Sequence, residues 1–213
     1  VRTRDVHYSR LPHRLVPPAP APAGGGRQYQ ADMRLRPPGR AGPLAVHIDG
    51  FASYQRTEAW TWEHMALTRA RVISGPGTLG AKIAGVVAGV LTAKRNAKKL
   101  RADIVEMRER IHREKGSEDV WEIKTVRGGL IDVEFVAQYL QLAHGDRHPE
   151  VLSQNTAAAL AAARQAGLLK KGDAEVLEPA CQLYHAVTQI LRLCLTGPFV
   201  PAEAPRGLAG LLC

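Results

Sequence analysis

Gly128-Gly-Leu-Ile-Asp-Val-Glu-Phe-Val-Ala-Gln-Tyr-Leu-Gln-Leu-Ala143 decides how this chain folds. From Leu130 onward it is apolar on most sides and has no helix breaker. That pattern predicts a central, buried helix over residues 130–143. Gly128 and Gly129 mark its start. Gly129 suits an N-cap or a close backbone approach. Asp132 and Glu134 fall in the first turn, where acids complement the helix dipole. A buried helix needs other helices around it, and the flanking sequence supplies them.

Upstream, Leu100, Ile104, Met107 and Ile111 recur at 4-3-4 spacing through residues 96–114, with charges between them. This is an amphipathic helix with a narrow seam. Downstream, residues 156–166 are Ala-rich and end at Gly167. Residues 173–196 form a long helical pattern, with Val176, Leu177, Ala180, Tyr184, Val187 and Leu191 on one stripe. Gly197-Pro198 closes it, and residues 205–212 add a turn or two. Nearer the N-terminus, Phe51, Tyr54, Trp62, Met65 and Ala66 recur at helical spacing. They predict one helix over 51–72, stopped by Ser74-Gly-Pro-Gly77.

Residues 28–48 read differently. In Gln30-Ala-Asp-Met-Arg-Leu-Arg-Pro-Pro-Gly39, Met33 and Leu35 alternate with Asp32, Arg34 and Arg36. Alternation predicts a strand over 28–36, ended by Pro37 and Pro38, and a second strand over 44–48. An acid and two guanidiniums on one strand face suit a metal-bound polyphosphate. A solvated edge strand explains the same pattern. Residues 1–27, with Pro17-Pro-Ala-Pro-Ala-Pro22 and Gly24-Gly-Gly26, read as a flexible Arg-, Pro- and Gly-rich lead. The expected fold is mainly α: a remnant of a small α/β sheet over 28–75, then an antiparallel helical bundle over 76–213.

The 213 residues carry a net charge of +9, which favours anionic partners. About a quarter of the Lys and Arg fall in the first 40 residues. The run Lys94-Arg95, Lys98-Lys99, Arg101 reads as a solvated helix face, and without interleaved aromatics nucleic acid is not the favoured partner. Cys181, Cys194 and Cys213 fit neither a zinc site nor a disulfide framework. Together they point to a reducing cytoplasm. No apolar run is long enough to span a membrane. The chain opens on Val1 with no Met, which reads as a piece of a longer protein.

Three separated motifs, Asp32-Met-Arg-Leu-Arg-Pro37, Trp60-Thr-Trp-Glu-His-Met-Ala-Leu-Thr-Arg-Ala-Arg71 and Gly128–Phe135, stand in one order and register. Together they resemble the bacterial glutamine synthetase adenylyltransferase/adenylyl-removing family, from about Arg27 to Gly210. The wording of the third motif, with Asn155-Thr156, is similar to the carboxyl-terminal, adenylylating half. The resemblance implies the tail of a nucleotidyltransferase domain, then a bundle like that of uridylyltransferases acting on PII signal proteins. It implies AMP transfer from ATP to a tyrosine of glutamine synthetase, with the paired half removing AMP. The implied partners are ATP, Mg²⁺, glutamine synthetase and PII.

By resemblance Asp32 is the third metal-binding acid of the site. The Gly-Ser…Asp-x-Asp pair expected before it has no match in residues 1–31. Arg34, Arg36, Arg69, Arg71 and Lys124 become phosphate or nucleotide contacts. Glu63, Gly128, Gly129, Asp132 and Glu134 become supporting residues. Each also has an ordinary structural explanation. Arg69 and Arg71 suit a helix C-terminus. Trp60 and Trp62 pack a core more readily than they stack on adenine. Asp132 and Glu134 diverge by about 200° around a helix, a poor geometry for chelation. A rival reading makes the chain a catalytically silent module that binds glutamine synthetase or PII.

Overall fold

The computed structural model describes residues 45–195, with 197, 199–201, 207, 208 and 210. The expected strand over 28–36, the lead over 1–27 and the residues Asp32, Arg34 and Arg36 lie outside the described residues. The second expected strand does not form. Ala45, Val46 and His47 lie outside any strand, and Ile48 opens a helix. The His47 ring caps this helix by accepting from the Asp49 N–H at 3.3 Å, and Asp49 complements the dipole in the first turn. No strand occurs among the described residues, so the expected sheet remnant is not shown there.

The described residues divide into two units, one ending at Glu63 and the other beginning at His64. The predicted helix over 51–72 is two helices, α1 (Ile48–Thr57) and α2 (Thr61–Leu67). Glu63 is the reason. It stands at the third position of α2 and reaches back to accept from the Trp60 N–H at 2.8 Å. This is half of a capping box, and it starts a new helix where periodicity alone would continue the old one. The same carboxylate accepts from the Tyr54 hydroxyl at 2.8 Å. α2 then ends in tight i→i+3 turns, with the Thr68 hydroxyl donating to the Met65 carbonyl at 2.7 Å.

The second unit contains the rest: α3 (Gly77–Leu91), α4 (Ala97–Lys115), α5 (Leu130–His144), a 3₁₀ turn (Pro149–Val151), α6 (Thr156–Gln165) and α7 (Lys171–Cys194). Arg95 finishes α3 by donating to the carbonyls of Val90 at 2.7 Å and Ala93 at 2.9 Å. Asn96 caps α4 at the Lys99 N–H, and Asn155 caps α6 at the Ala158 N–H, each at 3.0 Å. Gly167, at φ +71°, ends α6 in the left-handed conformation a Cβ would disfavour.

As expected, α5 is central. It packs on α4, α6 and α7 and buries Leu130, Ile131, Val133, Ala137, Leu140 and Leu142. One core joins Val133, Ala137 and Leu140 to Val151, Leu160, Ala163 and Cys181. A second joins Leu142 to Met65, Leu91, Leu100 and Ile104. Two stripes differ from expectation. On α4 the buried residue after Ile104 is Arg108, not Met107. On α7 the buried residues are Ala174 and Cys181, while Val176 is 66% exposed.

Candidate functional site

Of the described candidates, Gly128, Gly129 and Asp132 meet at the hairpin between α4 and α5. The Asp132 carboxylate accepts from the Gly128 N–H at 2.6 Å and from Arg108 Nη2 at 3.0 Å. Its other oxygen accepts from Arg108 Nε, completing a two-pronged pair. Arg108 also donates to the carbonyls of Val126 at 3.3 Å and Thr125 at 3.4 Å. One buried guanidinium therefore ties the end of the hairpin to the first turn of α5.

The backbone closes the same joint. The Leu130 N–H donates to Ile123 O at 2.8 Å and the Ile131 N–H to Lys124 O at 3.2 Å. A Cβ on Gly129 would lie 2.3 Å from Ile123 O and 2.9 Å from Val126 O, so only glycine fits. Gly128 adopts φ +77° and its carbonyl accepts from the Tyr184 hydroxyl at 3.0 Å. The N-terminus of α5 is thus already filled by the chain's own carboxylate. A free phosphate would have to displace Asp132 to sit there.

Glu134 goes elsewhere. It accepts from Arg69 Nη1 at 2.6 Å, joining the second motif to the third within the same unit. Arg69 is half exposed and Glu134 mostly buried. Buried Cys181 lies close enough to feel both. Burial, then the Glu134 charge, pushes its thiol upward, against Arg69. On the surface, Arg127 forms a double hydrogen bond with Glu109 at 3.1 and 3.0 Å. That bond, and then the Arg127 charge, hold the Glu109 carboxyl below its ordinary range.

Of the predicted residues, the second unit brings Arg69 to Glu134, and Gly128 and Gly129 to Asp132. Arg71 and Lys124 are exposed and join none of these networks. Glu63 belongs to the first unit and serves Trp60 and Tyr54. Trp62 is half-buried, whereas Trp60 is 71% exposed and packs no core. Arg108, Glu109 and Tyr184 were not anticipated. Arg108 stands one helical turn after Ile104, beside the expected seam, which the apolar spacing carried through Met107 instead.

Among the described residues no group of three or more His, Cys, Asp or Glu converges to hold a metal ion. Asp132 and Glu134 point to different arginines, as their angular separation requires. These residues do not fit Mg²⁺. No helix among them is long and apolar enough to cross a membrane.

A helical module packed around a central α5 and opened by a locked glycine hairpin is the class the fold defines. Residues 98–196 match the family described as GlnD PII-uridylyltransferase, and residues 3–86 match Glutamate-ammonia ligase adenylyltransferase. A bifunctional glutamine synthetase adenylyltransferase/adenylyl-removing enzyme of Xanthobacter autotrophicus is 48% identical over 210 residues, 99% of this chain and 21% of that protein. The enzyme of the same name from Rhodopseudomonas palustris is 50% identical over 198 residues, 93% of this chain and 20% of its own length. That of Bradyrhizobium diazoefficiens is 46% identical over 202 residues, 94% of this chain and 20% of its own length.

The chain belongs to the glutamine synthetase adenylyltransferase/adenylyl-removing enzyme family. It spans about one fifth of the length of these relatives. The match begins at residue 3, so the resemblance reaches through the lead that the three motifs alone left out.

Proposed function

We propose that this chain is a working part of a glutamine synthetase adenylyltransferase. In the longer polypeptide it serves AMP transfer from ATP to a tyrosine of glutamine synthetase, and the paired half removes AMP. The observation that carries this reading is the 48% identity over 99% of the chain to a relative bearing that name. Asp32 is assigned as a Mg²⁺ ligand, and Arg34, Arg36, Arg69, Arg71 and Lys124 as phosphate or nucleotide contacts. Mg²⁺ would supply charge neutralisation at the transferring phosphate. The described residues contribute no ligand to it, so their part is to hold cationic side chains on a rigid base. Arg69 is fixed by Glu134, and the Lys124 backbone by Ile131.

A second reading has an observation of its own. Asp132, Glu134, Glu63 and Arg69 all have partners within the fold. A catalytically silent module that docks glutamine synthetase or PII needs no more than that. Calorimetric titration of the 213-residue chain with Mg²⁺–ATP, and separately with glutamine synthetase and PII, tells the two apart. The first reading expects nucleotide binding that weakens at least about tenfold in Asp32→Asn with unchanged helicity. Protein binding without nucleotide binding would replace it with the second.

A further inference from the structure

The turn after α2 carries two arginines of the second motif, Arg69 and Arg71, with Ala70 between them. α2 ends in i→i+3 bonds, the last from the Ala70 N–H to the Leu67 carbonyl at 3.0 Å. Past that bond the carbonyls have no helical partner. Two residues of the same unit take hold of the chain there. Glu134 on α5 accepts from Arg69 Nη1 at 2.6 Å. Gln154, 84 positions from Ala70, donates from Nε2 to the Ala70 carbonyl at 2.8 Å. From Arg71 to Gly75 the chain is exposed and makes no hydrogen bond among the described residues. The Gln154 bond is therefore the last one on the chain before Pro76, the N-cap of α3.

Gln154 is itself fixed on both sides. The Ser153 N–H donates to Oε1 of Gln141, a buried residue of α5, at 3.0 Å. Asn155 caps α6, and its N–H donates to Ser153 Oγ at 3.2 Å. A side chain on a backbone held this way loses little order in making one more bond. Only the amide nitrogen can donate to a carbonyl, so the bond also sets which way the amide faces. We infer that Gln154 is a positioning residue. It holds the backbone between Arg69 and Arg71, so that the exposed Arg71 guanidinium, unpaired among the described residues, is presented to an anionic ligand, the polyphosphate of a nucleotide. The role rests on Arg71 being a phosphate contact. Gln154 stands outside all three motifs, in the loop ahead of α6.

Gln154→Met keeps the length of the side chain and removes the donor. One exposed hydrogen bond sets the scale of the effect at roughly two- to tenfold. Two readouts separate the clamp from its consequence. Trypsin cleaves after Arg71, and cleavage follows the opened fraction of the chain. In the 213-residue chain, scission of the Arg71–Val72 bond, followed by mass spectrometry, should speed up by that factor in Gln154→Met. Scission after Lys115, at the exposed end of α4, should not change. Calorimetric titration with Mg²⁺–ATP should show binding weakened by a similar factor, and Arg71→Ala should weaken it at least as much. The double variant should bind no more weakly than Arg71→Ala alone, because Gln154 acts through Arg71. Unchanged scission after Arg71 would overturn the clamp. Faster scission with wild-type affinity in Gln154→Met, or additive losses in the double variant, would overturn the positioning role and leave Arg71 as a contact. If the chain binds no Mg²⁺–ATP, or Arg71→Ala binds it as the wild type does, the contact falls and the positioning role with it.

Discussion

Removing the Asp132 side chain tests whether the third motif is architecture or chemistry. Arg108 is 9% exposed and its guanidinium depends on Asp132 for two of its four hydrogen bonds. The other two, to Val126 and Thr125 at 3.3 and 3.4 Å, are long. Asp132→Ala therefore strands a buried cation. Breaking a fully buried pair costs about 3–5 kcal/mol. The Asp132 side chain is 30% exposed, and water reaching the guanidinium lowers that to about 2–3 kcal/mol. The Gly128 N–H also loses its acceptor, but it faces solvent and adds little.

For a chain of this length that is a fall of roughly 4–12 °C in Tm. Arg108→Met keeps the stem and removes the buried charge, leaving Asp132 with Gly128 and water. It should cost about 1 kcal/mol. The double variant should be more stable than additivity predicts, by about 1–2 kcal/mol. Urea unfolding followed by circular dichroism gives all four corners of the cycle. A cost below about 0.5 kcal/mol for Asp132→Ala, with additive variants, would refute the lock and return Asp132 to the list of candidates for direct chemistry.

Gly129→Ala should lower stability by more than the ~1 kcal/mol of an ordinary helical glycine exchange, because its Cβ meets backbone oxygen at 2.3 Å. Thermal melting checks it, and an unchanged Tm would show the hairpin to be loose. Tyr54 is pushed up to about 12 by burial and then by its bond to Glu63. Spectrophotometric titration should show one of the five tyrosines ionising late, and Glu63→Gln should bring it back toward 10. Stability tied to this phenol is intact below pH 10 and is lost as pH rises from there toward 12. His144 is held below its usual 6.5 by burial, then by Arg147 and His148, against the pull of Asp146. The unfolded chain takes up that proton more readily, so stability is intact above about pH 6.5 and falls as pH drops through it. Comparing urea midpoints at pH 7.5 and 5.5 tests this, and His144→Asn should shrink the difference.

Long periodic segments were legible because burial writes itself into spacing. α5 stands within one residue of its expected end, and α6 likewise, since Gly128-Gly129 and Gly167 punctuate them. Where a single side chain overrides the period, reading failed. Glu63 capping Trp60 split the helix expected over 51–72. His47 and Asp49 drew Ile48 into a helix where alternation suggested a strand. On α7 the expected stripe holds at Leu177 and Tyr184, which pack against the core, and fails at Val176, which is 66% exposed on the other, equally apolar side of the helix. The site was legible as a set of residues but not as a set of partners. Arg108 lies 24 positions from Asp132, and Arg69 lies 65 from Glu134. No local pattern encodes either pairing.

Those pairings sort the candidates by what each can still do. A carboxylate committed to a buried arginine, or a glycine with no room for a Cβ, fixes shape and is not available to a ligand. Lys124 differs. Its carbonyl is held by the Ile131 N–H at 3.2 Å, so the Cα is anchored to the first turn of α5. Its side chain is exposed and outside the network. An anchored base with a free cationic tip suits phosphate contact, because little backbone order remains to be lost on binding. Lys124→Ala should therefore leave Tm within about 1 °C, since exposed substitutions stay near ±0.5 kcal/mol. It should weaken Mg²⁺–ATP binding several-fold. Asp132→Ala should do the reverse at low temperature, losing stability while a folded fraction still binds. If Lys124→Ala leaves binding untouched while Arg71→Ala weakens it, the nucleotide contact belongs to the second motif alone and the hairpin is scaffold.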